Sequence, residues 1–128
     1  MSDRDRAARH DRRTRLRGLA GETAAALVLT AKGYRILERR FRTRRGEIDL
    51  IARRGRLIVF VEVKARPTIN QALEAVTERQ RRRLVAAATA WMAVAPAIEG
   101  CDFRFDVVAI AANALPHHLE GAFTADGF

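Results

Sequence analysis

The chain has 128 residues, enough for one domain and too few for two, and 48% of them are hydrophobic, which excludes a wholly disordered protein. Its 24 Lys and Arg residues against 15 Asp and Glu give a net charge of +9, which predicts an anionic partner, nucleic acid before an anionic membrane surface. The single cysteine, Cys101, excludes a disulfide framework and a multi-cysteine zinc site, and without a long apolar run we expect no membrane span, no secretory signal and a cytoplasmic protein.

The first half of the chain predicts a basic arm, one helix and three strands. Residues 1–17 are rich in Arg and Asp and almost free of apolar side chains, which is typical of a solvated arm or a frayed helical extension. Residues 18–32 are rich in Ala and Leu, contain no proline and are followed by Gly33, so they predict a helix. The three predicted strands are residues 34–41, 47–53 and 56–65.

The second half predicts a helix, a strand and a tail. Residues 70–94 have apolar side chains at helical spacing, with a break near Thr77, where a capping-box pattern begins. Residues 103–110 are typical of a strand, whereas residues 111–128 show no clear period and predict a loose C-terminal tail. The order α-β-β-β-α-β predicts one α/β domain over residues 18–110.

Ionisable residues lie at the facing ends of the second and third predicted strands. Glu62 and Lys64 stand two residues apart in an otherwise apolar strand, so they share one face. A two-residue loop between the strands would place Asp49 opposite Phe60 and diagonal to Glu62, and a four-residue loop would place Asp49 directly opposite Glu62. Both registers bring the two carboxylates within reach of one small ion, whereas a three-residue loop would separate them.

Two carboxylates this close repel each other unless a cation lies between them. Because Mg²⁺ binds one or two carboxylates together with other oxygen ligands, we expect Asp49, Glu62 and the Val63 carbonyl to bind Mg²⁺ or Mn²⁺. Such an ion can stabilise the charge on a phosphodiester under attack, and Lys64 would position the water. The alternative is structural: Glu62 and Lys64 form an ion pair at a strand end, and Asp49 pairs with an arginine.

The motifs around these residues resemble a known family. The segments GEIDLIA (46–52), FVEVKAR (60–66) and RFDVV (104–108), with Gly-Glu at 21–22, are similar to the YraN family of small bacterial proteins. Asp49 followed by Glu62-Val-Lys64 also resembles the signature of the PD-(D/E)xK nuclease superfamily. The resemblance implies a restriction-endonuclease-like core, a mixed sheet flanked by helices, and similarity to Holliday-junction resolvases. It also implies that Glu22, on the first helix, completes a catalytic metal site with Asp49, Glu62 and Lys64.

Two clusters of arginine are candidates for phosphate contacts. They are Arg42, Arg44 and Arg45 before the second strand, and Arg79, Arg82 and Arg83 at the start of the second helix. A solvated basic face is the alternative for both clusters. We expect Asp106 to pair with Arg104 or with another arginine.

The expected function is therefore that of a Mg²⁺- or Mn²⁺-dependent nuclease that acts on DNA rather than RNA, with branched DNA as one substrate and a homodimer as one assembly. The alternative is a catalytically inactive nuclease-fold module that binds nucleic acid or a DNA-processing partner. A basic protein associated with ribosomes or membranes is a third interpretation.

Overall fold

A computed structural model describes residues 2–125, apart from the side chains of residues 10–18. The helices in this range are α1 (Asp3–Ala31), α2 (Ile69–Glu74) and α3 (Glu78–Val94). The strands are β1 (Arg35–Arg42), β2 (Glu47–Arg54), β3 (Leu57–Ala65), β4 (Asp102–Ile110) and β5 (His117–Phe123). All five strands form one mixed sheet in the order β1-β2-β3-β4-β5, in which only β3 and β4 are parallel. The predicted class, a mixed sheet flanked by helices, is confirmed.

Helix α1 begins far upstream of the predicted helix over residues 18–32. The Oγ atom of Ser2 accepts a hydrogen bond from the backbone N–H of Asp5 and caps the helix. The helix is followed by Gly33, whose φ of 91° is a conformation that glycine adopts without strain. Residues 3–17 are therefore helical, so of the two interpretations of the basic arm the helical extension is the one observed. Met1, the first residue of the predicted arm, lies outside the described residues. No helix in the described range is long and apolar enough to cross a membrane.

The helical pattern over residues 70–94 divides into two helices, each with its own capping box. Thr68 and Gln71 cap α2, and Thr77 and Gln80 cap α3, so the predicted break near Thr77 is confirmed. The first backbone N–H groups of a helix have no partner inside it, and a capping box supplies one. Because each segment has its own capping box, the chain can begin a new helix at Thr77.

The sheet is covered on both faces. On one face the buried residues of α3, including Trp91, pack on Phe60 of β3, with the two rings edge to face at 5.7 Å. On the other face Ala25, Ala26 and Leu29 of α1 pack on a second cluster. The central strands are apolar on both faces for this reason.

The expectation of a loose tail over residues 111–128 is wrong for its central part, which forms β5. This strand is antiparallel to β4, and a fully buried carboxylate, that of Asp106, ties the two together. Nε2 of His118 lies 2.7 Å from Oδ2 of Asp106, and the Gly121 N–H donates to Oδ1 at 3.0 Å. The Arg104 guanidinium completes the set with two bonds of 2.8 Å, which confirms the predicted Asp106–Arg104 pair. Residues 126–128 of the predicted tail lie outside the described range.

Candidate functional site

The register of β2 and β3 brings the two predicted metal-binding carboxylates to the same level of the sheet. Leu50 pairs with Val61, and continuing this register by one residue sets Asp49 opposite Glu62. This is the predicted register with Asp49 opposite Glu62, but the loop that produces it has two residues rather than four, because Arg54 pairs with Leu57. The alternative in which Asp49 faces Phe60 is wrong. Neighbouring side chains on adjacent strands are close enough to interact, so the sheet itself creates the carboxylate pair.

These residues line a cleft of about 240 Å³ between α1 and α3. Its walls are Gly21 and Glu22 from α1, Glu47 and Asp49 from β2, residues 62–65 from β3, and Gln80 and Arg83 from α3. All four side chains predicted for catalysis therefore border one cavity, although they come from three different elements. The Val63 backbone, predicted to offer a carbonyl, borders it as well.

Gly46 determines how closely α3 approaches this cleft. An added Cβ atom at Gly46 would lie 2.5 Å from the carbonyl carbon of Arg83 and 2.9 Å from its Cα, closer than side chains tolerate. Only glycine therefore permits this contact between the β1–β2 turn and the backbone of α3. The contact holds the first turns of α3, with Gln80 and Arg83, at the edge of the cleft.

Asp49 is held by the neighbouring strand. The backbone N–H of Val63 donates to its Oδ2 atom at 2.7 Å. Burial raises the pKa of Asp49 from its usual value near 3.8 to about 6, and the nearby charges of Glu22 and Glu47 act in the same direction. Within the part of the chain that the structure describes, no hydrogen bond reaches the second oxygen, Oδ1.

Glu62 and Lys64 form an ion pair, with 3.3 Å between Oε1 and Nζ, and their side chains are only 13% and 12% exposed. Burial raises the pKa of Glu62 to about 7; repulsion from Asp49 also raises it, whereas the neighbouring ammonium of Lys64 lowers it. Burial thus makes the charged form of both carboxyl groups less favourable than it is in water.

Glu22 reaches the cleft but is already paired. The Nε atom of Arg40 on β1 donates to its Oε2 atom at 2.8 Å. The sequence predicts no role for Arg40, because a contact between residues on a helix and a distant strand leaves no local pattern. Arg40 is one of many arginines in the sequence, and its position alone does not distinguish it from the others.

The donors available to a divalent ion are therefore two carboxylates and a backbone carbonyl. Among the described residues, no three His, Cys, Asp or Glu side chains converge closely enough to hold a metal ion together. Mg²⁺ keeps several waters and commonly binds proteins through one or two carboxylates, so Asp49, Glu62 and the Val63 carbonyl are a fitting set for it. The predicted ligation by Glu22 requires that this carboxylate leave Arg40.

One of the six predicted phosphate-binding arginines, Arg83, lines the cleft. Two others are paired with acidic neighbours: Arg42 lies 3.5 Å from Glu47, and Arg82 forms an ion pair with Glu78. The remaining three, in the β1–β2 turn and the first turn of α3, are exposed: Arg44, Arg45 and Arg79. The Gly46 contact sets these two segments side by side, so the arginines form one basic rim rather than two separate patches.

Comparison with other proteins identifies the family. The profile of the uncharacterised protein family UPF0102 matches residues 21–110. The UPF0102 protein of Nitrobacter winogradskyi is 55% identical over 108 residues, which cover 84% of this chain and 92% of the relative. UPF0102 proteins of Rhodopseudomonas palustris and a Bradyrhizobium species are 54% and 52% identical over the same length, covering 83% and 77% of those relatives. The resemblance to the YraN family is confirmed by these matches. The match begins at Gly21, includes every acidic residue of the cleft and ends with β4, and so the chain belongs to the UPF0102 family.

Proposed function

We propose that this protein is a metal-dependent nuclease that hydrolyses phosphodiester bonds of DNA, with a core related to the PD-(D/E)xK nucleases. The observation that carries the proposal is the Asp49–Glu62 pair, set face to face by strand register with Lys64 beside it. Burial raises both carboxyl pKa values, so a bound cation would stabilise the two carboxylates in their charged form. A divalent cation is the partner that such a pair selects.

Asp49, Glu62 and the Val63 carbonyl would hold Mg²⁺ or Mn²⁺. When bound, such an ion stabilises negative charge on a phosphoryl oxygen and lowers the pKa of a bound water. The side chains of Asp49 and Glu62 are kept in place by the Val63 N–H and by Lys64, so little reorganisation accompanies ion binding.

Three further side chains have roles of their own. The Nζ atom of Lys64 donates to the attacking water or to a phosphate oxygen and offsets charge that develops there. The Oε1 atom of Gln80 accepts a hydrogen bond from the Thr77 N–H. The side-chain NH₂ group of Gln80 then donates to a phosphate. Arg83 binds the neighbouring phosphate as a planar donor fork.

DNA is the substrate that the charge distribution favours. The net charge of +9 and the basic rim beside the cleft compensate for placing a polyanion next to acidic residues. The cleft is lined by no aromatic residue within the described part of the chain, so recognition through phosphates rather than stacked bases is expected.

The test is a cleavage assay on branched, double-stranded and single-stranded DNA with Mg²⁺ or Mn²⁺. Asp49→Ala and Lys64→Ala should each lower the rate by roughly 100-fold or more, in the range for loss of a group that stabilises transition-state charge. Arg56→Gln, which alters an exposed arginine outside the cleft, is the matched control and should cut like the wild type. Wild type and Asp49→Ala that are equally inert on every substrate and with both metals would contradict the enzymatic proposal.

A binding module without catalysis is the second candidate, and the internal ion pairs favour it. Lys64 already neutralises Glu62, and Arg40 already neutralises Glu22, as in a site that no longer needs a metal. A calorimetric Mn²⁺ titration of the wild type and Glu62→Ala separates the two candidates. Heat of binding that is lost in Glu62→Ala supports the nuclease, and binding to DNA with no Mn²⁺ uptake supports the module.

A further inference from the structure

The ion pair between Arg40 and Glu22 occupies an unusual position in the sheet. Arg40 lies between Arg39, which pairs with Leu50, and Phe41, which pairs with Ile48, so it stands at the level of Asp49 in β2. One row across three strands therefore contains Arg40, Asp49 and Glu62. The row places a cation of β1 beside the acidic pair.

Arg40 also has a backbone conformation that is rare for arginine. Its φ of 55° lies in the left-handed region, which most residues with a side chain avoid. Residues held in that region are concentrated at functional sites, where the surrounding structure enforces them. In a β-strand this conformation redirects the side chain, and here the side chain meets Glu22 on α1.

We propose that Arg40 binds a phosphate of the DNA substrate and thereby releases Glu22, which then joins Asp49 and Glu62 as a third ligand of the divalent ion. This inference rests on the proposed function. It assigns Arg40 to substrate binding, and it makes the third carboxylate ligand of the metal site depend on the presence of DNA.

The exposure of the two partners suits this exchange. The Arg40 side chain is 40% exposed, whereas that of Glu22 is 15% exposed and faces the cleft. Only Nε of Arg40 is engaged within the described residues, so both terminal nitrogens are available for the two-point contact that arginine makes with phosphate. A phosphate can thus approach Arg40 from solvent before Glu22 leaves it.

Glu22 is also close enough to act on the metal site once it is free. Glu22, Asp49 and Glu62 line the same cleft of about 240 Å³, so their carboxylates border one common space. Release from Arg40 would add a third acidic ligand and remove a competing cation at the same time. Both changes favour a divalent ion.

The first test measures Mn²⁺ binding by calorimetry without DNA. Arg40→Gln should bind Mn²⁺ roughly tenfold more tightly than the wild type, a factor within the range typical of coupled sites. Arg39→Gln removes the same charge from an exposed neighbour on β1 and should change the affinity by less than about twofold. Arg40→Gly is a second variant that accepts the positive φ without strain and should behave like Arg40→Gln if the guanidinium is what matters.

The second test measures the affinity for a short DNA duplex by fluorescence anisotropy in EDTA, where no cleavage occurs. Glu22→Gln frees Arg40 and should bind DNA more tightly than Glu38→Gln, which removes an exposed carboxylate of β1. Arg40→Gln should bind DNA more weakly than Arg39→Gln.

The outcomes separate the inference from the function on which it rests. If the wild type binds Mn²⁺ and cuts DNA but Arg40→Gln has the Mn²⁺ and DNA affinities of Arg39→Gln, the pair is only a structural tie between α1 and β1, and the inference is wrong. If the wild type takes up no Mn²⁺, the proposed nuclease and the release of Glu22 to a metal both fail. Tighter Mn²⁺ binding in Arg40→Gln together with tighter DNA binding in Glu22→Gln supports the exchange.

Discussion

The contact between Gly46 and α3 leads to a prediction about how the cleft is assembled. In Gly46→Ala the new methyl group would stand 2.5 Å from the carbonyl carbon of Arg83, against the roughly 3.0 Å that side chains require. Neither partner can rotate away, because the obstacle is backbone in the middle of a helix. The helix α3 must therefore shift away from β2 by on the order of 1 Å. Its own buried side chains, Leu84 and Trp91, must shift with it.

We expect this shift to lower the free energy of unfolding by about 3 kcal/mol, at the upper end of the range for overpacking a core. For a domain of this length, that loss lowers the melting temperature by roughly 10 °C. Urea and thermal unfolding followed by circular dichroism measure the effect. The matched control is Gly55→Ala, where nothing lies within 4 Å of the added Cβ and the φ of 60° is the only obstacle; it should cost about 1 kcal/mol. Equal stability of the two variants would refute the packing argument.

Three further predictions concern single residues. Gly21→Ala should raise stability by roughly 1 kcal/mol in urea unfolding, because the added Cβ meets its neighbours at an ordinary 3.7 Å or more and alanine favours the helix; a loss of stability would show that the methyl group does not fit there. Folding raises the pKa of Asp49 from 3.8 to about 6, so the folded chain binds more protons than the unfolded chain and this carboxyl lowers stability as pH rises through that window. Asp49→Asn should therefore gain about 2 kcal/mol relative to the wild type between pH 4 and pH 8, and an unchanged difference across that range would refute the assigned burial. Asp106 is the opposite case: Asp106→Asn should lose about 3 kcal/mol at pH 7, since it leaves Arg104 without its buried partner, and a loss under 1 kcal/mol would show that β5 does not depend on it.

The part of the fold that sequence patterns predict is the part whose causes are local. Apolar alternation and turn residues predict β2 and β3, and the capping residues Thr77 and Gln80 predict the start of α3. The possible loop lengths between β2 and β3 allow only a few strand registers, which set Asp49 opposite Phe60, set it opposite Glu62 or separate the two carboxylates. Only the structure shows which of these registers forms. That choice matters most, because it sets Asp49 opposite Glu62.

Strand β5 could not be predicted because its stability comes from elsewhere in the chain. The segment His117–Phe123 has few apolar residues and contains Gly121, so its own pattern is weak. It is held by hydrogen bonds from His118 and Gly121 to Asp106 of β4. The sequence pattern around Asp106 predicts a pair with an arginine such as Arg104, but no contact with residues 117–123. Arg40 and Glu22 were missed as a pair for the same reason, since their contact joins a helix to a strand 18 residues away.

A comparison of two buried acidic sites within this one chain strengthens the metal proposal. Burial alone would raise the pKa of Asp106, but bonds from Arg104, His118 and the Gly121 N–H outweigh it and lower that pKa to about 2. The Glu62 side chain is only 13% exposed, but within the described residues its ion-pair partner is Lys64 alone, and its pKa rises to about 7. The fold is thus able to satisfy a buried carboxylate completely with its own donors, and it does so away from the cleft. At the cleft it opposes two carboxylates and raises the pKa of both, so a cation bound there would stabilise their charged forms, as the proposed function requires.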